Sequence, residues 1–266
     1  MQREEIDGPA LREQVRKRSD LLGTLRSEPM TKAELVDHVD VSRSTVDRAI
    51  DSLETTGFVE RRDGRYRVTT QGRLVTESYQ RHVDRTDALA AAAPILDCLP
   101  PGAHIDPLMF ETGSVHVADP HVPEQAIAGA VEALSSADRV RVFSPVVKSN
   151  YINLVHEQIA DRDAEMTLVV GPEASQSLSS LASVTDAVEG LLTNESFDLR
   201  VAESSLPYML YLITGGETET VGVTVHDDGA LVGSVISTDS DALSWGRQRF
   251  DAVADRAEPL PESQLL

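Results

Sequence analysis

Apolar residues in the first third of the chain recur every three or four positions and then, briefly, every second one. Leu11, Val15, Leu21, Leu22 and Leu25 predict an amphipathic helix over residues 9–26. Thr31-Lys-Ala-Glu34 is a capping box, with Pro29 just upstream, and the helix it opens carries Leu35, Val36 and Val39 on one stripe. Asp40-Val41-Ser42 reads as a tight turn with Val41 pointing inward and Ser42 capping the next helix. That helix, Arg43–Thr55, stops at Gly57, the residue expected just past a helix end. Phe58–Arg61 and Arg65–Thr69 then alternate as strands around Arg62-Asp63-Gly64, a hairpin signal. Helix, turn, helix and hairpin in that order predict a winged helix-turn-helix.

The pattern coarsens afterwards. Thr70-Gln-Gly72 is expected to cap a long helix, Arg73–Ala93, that ends at Pro94. Strands are expected at Ile105–Phe110 and Ser114–Val117, and a helix at Pro123–Ser135. Strand Arg139–Phe143, helix Ser149–Asp161 and strand Glu165–Val170 follow. Helical segments over 173–182 and 184–193 precede strand Asp198–Ala202. Strands Tyr208–Thr214, Thr220–His226 and Ala230–Ser237 come next, and then a last helix, Ser240–Arg256. Alternating β and α units succeeded by consecutive strands predict an α/β domain with a mixed sheet, behind an α+β winged helix-turn-helix domain.

Whether the helix at 43–55 can read DNA depends on its faces. Val46, Ala49, Ile50 and Leu53 fall on one side and must be buried. Ser44, Arg48 and Asp51 take the opposite side, with Thr45 at its flank. Ser42, Arg43, Ser44, Thr45 and Arg48 occupy the N-terminal half, the part that enters a major groove. Arg bonds bidentately to guanine, and Ser and Thr serve bases or phosphates. The competing reading pairs Arg48 with Asp47 or Asp51 on a solvated face. In the hairpin, Arg61, Arg62, Arg65 and Arg67 surround the Asp63-Gly64 tip and suit phosphate or minor-groove contact. A merely solvated charged hairpin is the alternative.

Charge sharpens the division of the chain. Residues 1–86 hold 16 Lys and Arg against 16 Asp and Glu, so the whole formal charge of −20 falls on residues 87–266, with 8 cations against 28 anions. Only the first third can approach a polyanion without strong repulsion. An Asp- and Glu-rich chain whose cations are mostly Arg fits a salt-in halophile. Screening lengths there shrink to about 3 Å at 1 M salt, so groove contacts and shape must carry specificity. A single Cys98 rules out an internal disulfide and fits a reducing cytoplasm. No apolar run reaches the roughly 20 residues of a membrane span, and the charged start, Arg3-Glu-Glu5, does not resemble a signal peptide.

Catalytic constellations are missing from the sequence. Phosphodiesterase chemistry through a His-x-Lys pair has no counterpart, since His156 is followed by Glu157 and Gln158. There is no phosphate-binding Gly-rich loop and no Gly-x-Ser-x-Gly elbow. His116, Asp119 and His121 form only a weak metal candidate in a Pro-containing loop. No cofactor, metal or enzymatic activity is expected. Strand ends of an α/β sheet are the usual ligand position, so Ser144, Lys148, Asn150 and Tyr151, with Gly171 at the next strand, form a candidate effector rim. An ordinary loop and helix cap is the alternative for these residues.

Ala93-Pro-Ile-Leu-Asp-Cys-Leu-Pro100, Asp119-Pro-His-Val-Pro123 and Ala242-Leu-Ser-Trp-Gly246, together with Gly57-Phe-Val59 and Thr69-Thr-Gln-Gly72, resemble archaeal regulators related to the methanogenesis regulatory protein. The resemblance implies a MarR/ArsR-like first domain and a phospholipase-D-like α/β second domain that senses an effector or dimerises. The domains expected are 1–72 for DNA, 73–100 as a linker or dimerisation helix, and 101–266 as the acidic effector-sensing or dimerisation domain. The function expected is a sequence-specific, double-stranded-DNA-binding transcriptional regulator, homodimeric, ligand-responsive and cytoplasmic. A winged-helix protein–protein adaptor is the alternative.

Overall fold

The computed structural model describes residues 7–162, 164–178, 190–191, 193–216 and 218–260. It divides into two compact units, 1–86 and 87–266. In the first, α1 (Gly8–Ser27), α2 (Lys32–His38) and α3 (Arg43–Thr55) precede a hairpin of β1 (Val59–Arg62) and β2 (Arg65–Val68). The capping box at Thr31 and Glu34 forms in both directions, and Ser42 caps α3. Leu22, Leu25, Leu35, Val46, Ile50, Leu53, Phe58 and Tyr66 close one apolar core. The hairpin tip turns on Asp63 (φ 50°) and Gly64 (φ 81°), the left-handed pair a two-residue turn needs. Met30 pairs backbone to backbone with Tyr66, which ties β2 to the start of α2.

Three local expectations fail here. Val41 does not point inward; it is 45 % exposed, because the turn's backbone bond from Val41 to Val39 swings its side chain out. The long helix α4 (Thr70–Ala91) begins at Thr70, and Thr69 is the residue whose hydroxyl caps it, accepting from Gly72 N at 3.1 Å. A Cβ on Gly72 would stand 2.2 Å from the Phe58 carbonyl, so only glycine lets α4 start this close to the hairpin. Val75 and Tyr79 of α4 pack on the first core, whereas Ala88 and Leu89 pack on the second. Pro94 does not stop α4 but opens the short α5 (Ala93–Leu96).

The second unit is a mixed eight-stranded sheet. Its strands are β3 (Ser114–Val117), β4 (Arg139–Ser144), β5 (Glu165–Val170), β6 (Phe197–Val201), β7 (Met209–Gly215), β8 (Thr218–Asp227), β9 (Ala230–Ser237) and β10 (Glu258–Pro259). They run in the order β10-β6-β5-β4-β7-β8-β9-β3. Strands β4, β5 and β6 are parallel, and every other pairing is antiparallel. Parallel neighbours need long crossovers, which α8 (Ser149–Arg162) supplies between β4 and β5. Consecutive antiparallel strands need only turns, made at Gly216 (φ 57°) and at Asp228-Gly229 (φ 45° and 77°).

Alternation along the strands divides the core in two. Phe143, Leu210, Leu212, Val221, Val223 and Val235 face α6 (Leu108–Thr112) and α10 (Ser240–Ala254). Val140, Val142, Met166, Tyr211 and Ile213 face α7 (Ala128–Leu134) and α8. Ile105–Phe110 is not a strand, because Met109 and Phe110 are buried together on one turn of α6 and not on alternate faces. The helix expected over Pro123–Ser135 begins as a 3-10 turn, Pro123–Ile127, and becomes α-helical only from Ala128. Of the helices expected over 173–182 and 184–193, α9 (Pro172–Leu178) is present; most of the remainder lies outside the described residues.

Candidate nucleic-acid interface

Helix α3 buries Val46, Ala49, Ile50 and Leu53 and leaves Ser42, Arg43, Ser44 and Arg48 exposed. The first turn is tied together by hydroxyls. Ser42 Oγ accepts from Thr45 N at 3.3 Å and lies 3.1 Å from Ser44 Oγ and 2.9 Å from Thr45 Oγ1. Ser42 is therefore committed to the cap, while Ser44 and Thr45 keep further hydrogen-bonding capacity. Arg48 does not pair with Asp47 or Asp51. Lys32 takes both carboxylates, at 3.2 and 3.0 Å, and Arg48 Nε instead donates to the Ser44 carbonyl at 3.1 Å. Burial would pull the Lys32 ammonium down, but its bonds to Asp51 and Asp47 outweigh that and raise it. Sequence reasoning missed Lys32, because a residue at the start of α2 meets α3 only after the helices pack.

The hairpin arginines divide into two kinds. Arg65 forks onto Glu34 through bonds of 2.9 and 3.0 Å and also donates to the Pro29 carbonyl at 2.9 Å. Arg67 Nε donates to Glu60 at 2.6 Å, its cross-strand neighbour. Glu34 titrates below the ordinary carboxylate range, first through the Thr31 backbone and hydroxyl bonds and then through Arg65. Arg61 stacks near the Tyr66 ring, 5.8 Å from its centroid, and Arg62 is exposed at the tip. The four cations expected to act alike are thus two in ion pairs, Arg65 and Arg67, and two still presented, Arg61 and Arg62.

The effector-rim residues also separate. Asn150 is exposed, and Gly171 is spent on the backbone, its N–H donating to the Ser144 carbonyl at 3.0 Å. Ser144, Lys148 and Tyr151 instead border a cavity of about 130 Å³ beneath α7 and α8, on the sheet face carrying Val142, Leu168, Met209 and Tyr211. Tyr211 is opposite Gly222 in the β7–β8 ladder, and a Cβ on Gly222 would sit 2.0 Å from the phenol Cζ. Glycine there gives the ring its seat. Tyr211 and Thr224 are among the lining residues, and their hydroxyls are buried with no hydrogen-bond partner among the described residues. His226 Nε2 lies 3.3 Å from Tyr151 Oη, and burial, helped by Lys148, holds the imidazole down to about 4. His226, Tyr211 and Thr224 were not legible as a cluster, since β7 and β8 read only as apolar strands.

Cys98 packs half-buried on the second core. Asp119 accepts from His121 N at 2.7 Å, as a loop-forming carboxylate does, and no group of three or more metal-ligating side chains occurs among the described residues. No described helix is long and apolar enough to cross a membrane.

Residues 123–256 match the family model described as methanogenesis regulatory protein FilR1, middle domain. The chain belongs to this family. The match runs from the 3-10 turn before α7 to the end of α10, so it takes in the cavity and nearly the whole sheet. Residues 7–90 match a second model, described as HVO_A0261 N-terminal domain. No curated protein matches the chain. Among solved structures it is similar to that of TrmBL2, an archaeal chromatin protein whose structure shows a novel mode of DNA binding. The identity is 15 % over 94 % of each chain, with a TM-score of 0.39. It is also similar to Nuc, a phospholipase D family member from Salmonella typhimurium, at 12 % identity over 55 % of this chain and 97 % of that one, TM-score 0.40. NucT from Helicobacter pylori is similar at 11 % identity, 55 % and 98 % coverage and TM-score 0.43. Likenesses at this level carry no functional argument.

Proposed function

We propose that this chain is a transcriptional regulator that binds double-stranded DNA in a sequence-specific manner through a winged helix-turn-helix, α1 to β2. Its second unit would sense a ligand or signal and act without catalysis. One observation carries the reading: Lys32 neutralises Asp47 and Asp51, so α3 presents Arg43, Ser44, Thr45 and Arg48 without an acidic face of its own. An adaptor surface has no need of that arrangement. Arg61 and Arg62 sit on the hairpin beyond, as a wing requires. Membership of a regulatory-protein family supports the same reading.

In this reading residues 1–72 read DNA, 73–100 link, and 101–266 sense. Two protomers would pair through α4, where Leu74 is 54 % exposed, and so present two copies of α3 to a two-fold site. The strongly acidic second unit suits a halophile's salt, which screens its repulsion from DNA to within a few ångströms, about 3 Å at 1 M.

The test is selection of bound duplexes from a random library by the purified chain in molar salt, followed by anisotropy titration of the enriched sequence. The expected result is one enriched motif, bound at least about 1,000-fold more tightly than scrambled DNA. Absence of enrichment at every salt concentration, with the chain folded, sinks the reading and leaves the adaptor.

A further inference from the structure

We propose that the cavity beneath α7 and α8 is a binding site for a small, wholly apolar guest, a hydrocarbon about the size of one six-membered ring that is held without any polar contact. The space measures about 130 Å³, close to the roughly 150 Å³ of an engineered apolar cavity that stays dry and binds benzene. A buried water needs roughly two to four polar partners, and walls such as Ile127, Leu134, Val142, Leu168 and Leu191 supply none. A hydrocarbon guest restores to these walls the close contacts that an empty space denies them.

Five of the described lining residues do carry a polar tip, and each tip is occupied or sealed elsewhere. Ser144 Oγ donates to the Val146 carbonyl at 2.6 Å, and Tyr151 Oη lies 3.3 Å from His226 Nε2. The Lys148 ammonium lies over the Tyr151 ring, 5.9 Å from its centroid. The Tyr211 and Thr224 hydroxyls are closed off behind their own carbon atoms. These residues therefore show the cavity carbon. A polar atom on the guest would give up its water and gain no partner, whereas a C–H surface gives up nothing.

The walls are also suited to taking a guest in. On the opposite face of the same strands, large side chains such as Phe143, Leu210 and Leu212 close against α6 and α10. On this face α7 brings only Ala130 and Val131 to a place where a larger side chain would fill the space. Two of the chain's five methionines, Met166 and Met209, line the cavity from the strands on either side of β4. Unbranched thioether side chains change shape readily and so adapt to a guest's outline.

The site's meaning as a control point rests on the regulator reading, but its existence does not. Calorimetric titration of the full chain with benzene, toluene, phenol and benzoate, in high salt and without DNA, examines the cavity alone. Saturable toluene binding with a Kd of about 0.1–1 mM is expected, and benzene within about tenfold of it. Phenol, which replaces the methyl group by a hydroxyl, should bind at least about fivefold more weakly than toluene, and benzoate more weakly still. Val142→Phe and Ala130→Leu each add carbon at a buried wall position and should weaken toluene at least about tenfold. Either serves alone if the other loses its native circular dichroism. Thr224→Val should leave toluene within about twofold, because the hydroxyl it removes does not reach the guest.

No saturable binding of benzene or toluene overturns the proposal. Phenol or benzoate binding as tightly as toluene overturns it too, since a polar atom is then accommodated. Undiminished toluene binding in both filled variants puts the guest elsewhere and has the same consequence, as does a tenfold loss in natively folded Thr224→Val. A chain that binds toluene but enriches no DNA motif sinks the regulator reading alone, and a motif without toluene binding sinks this site alone.

Discussion

Arg62 and Arg65 face each other across the hairpin, one residue either side of its tip, yet their surroundings differ. Arg65 is held in a fork by Glu34 at 2.9 and 3.0 Å and by the Pro29 carbonyl at 2.9 Å, whereas Arg62 is exposed at the tip. Under the DNA-binding reading, a cation that neutralises one phosphate contributes about 0.9 to the slope of log affinity against log salt. Arg62→Ala should therefore flatten that slope by about 0.9 and weaken all sequences alike. Arg65→Ala should leave the slope within about 0.3 of the parent, because its charge is already spent on Glu34. Its effect should appear in stability: the capping box loses the cation that holds Glu34 in place, and the first unit's Tm falls by about 1–3 °C. Anisotropy titrations between 0.1 and 1 M salt, with thermal melts by circular dichroism, measure both quantities. Equal loss of slope in the two variants would refute the reasoning, since it would mean that the Arg65–Glu34 pair opens on DNA.

Arg48→Ala should cost about 1–3 kcal/mol at the selected site and relax the preference at one base pair, read by competition with single-base variants. Gly72→Ala should destabilise the first unit by more than about 2 kcal/mol in a urea melt, because the added carbon meets the Phe58 carbonyl at 2.2 Å, backbone that cannot step aside. His226 responds to acid. With its folded value about 4 against an ordinary 6.5, the unfolded chain takes up a proton between these values that the folded one refuses. Stability of the second unit should be full above pH 6.5 and fall toward pH 4, by about 2 kcal/mol after allowance for partial solvent screening. His226→Gln, which leaves Tyr151 and Lys148 in place, should flatten that decline; an unchanged profile would show that His226 does not carry it.

Periodicity alone determined the local structure wherever one face of an element is buried and the other wet. The α3 stripe Val46, Ala49, Ile50 and Leu53, the Thr31–Glu34 box, the Asp63-Gly64 tip and Ala230–Ser237 all follow from spacing and turn chemistry. The sequence failed where burial is set by distant partners. Ile105–Phe110 is as apolar as a strand, but Met109 and Phe110 are packed by β9 and α10, which makes them a helical turn. The competing reading, which paired Arg48 with Asp47 or Asp51, stayed open in the sequence because helical spacing is visible there and the arrival of Lys32 from another helix is not. The same blindness hid the pairing of Arg65 with Glu34 and the burial of the Tyr211 and Thr224 hydroxyls without a partner among the described residues. Sequence spacing fixes which side chains share a face. Only the packing of one element on another decides which charges are spent, which remain to meet a partner, and which hydroxyls are enclosed without one.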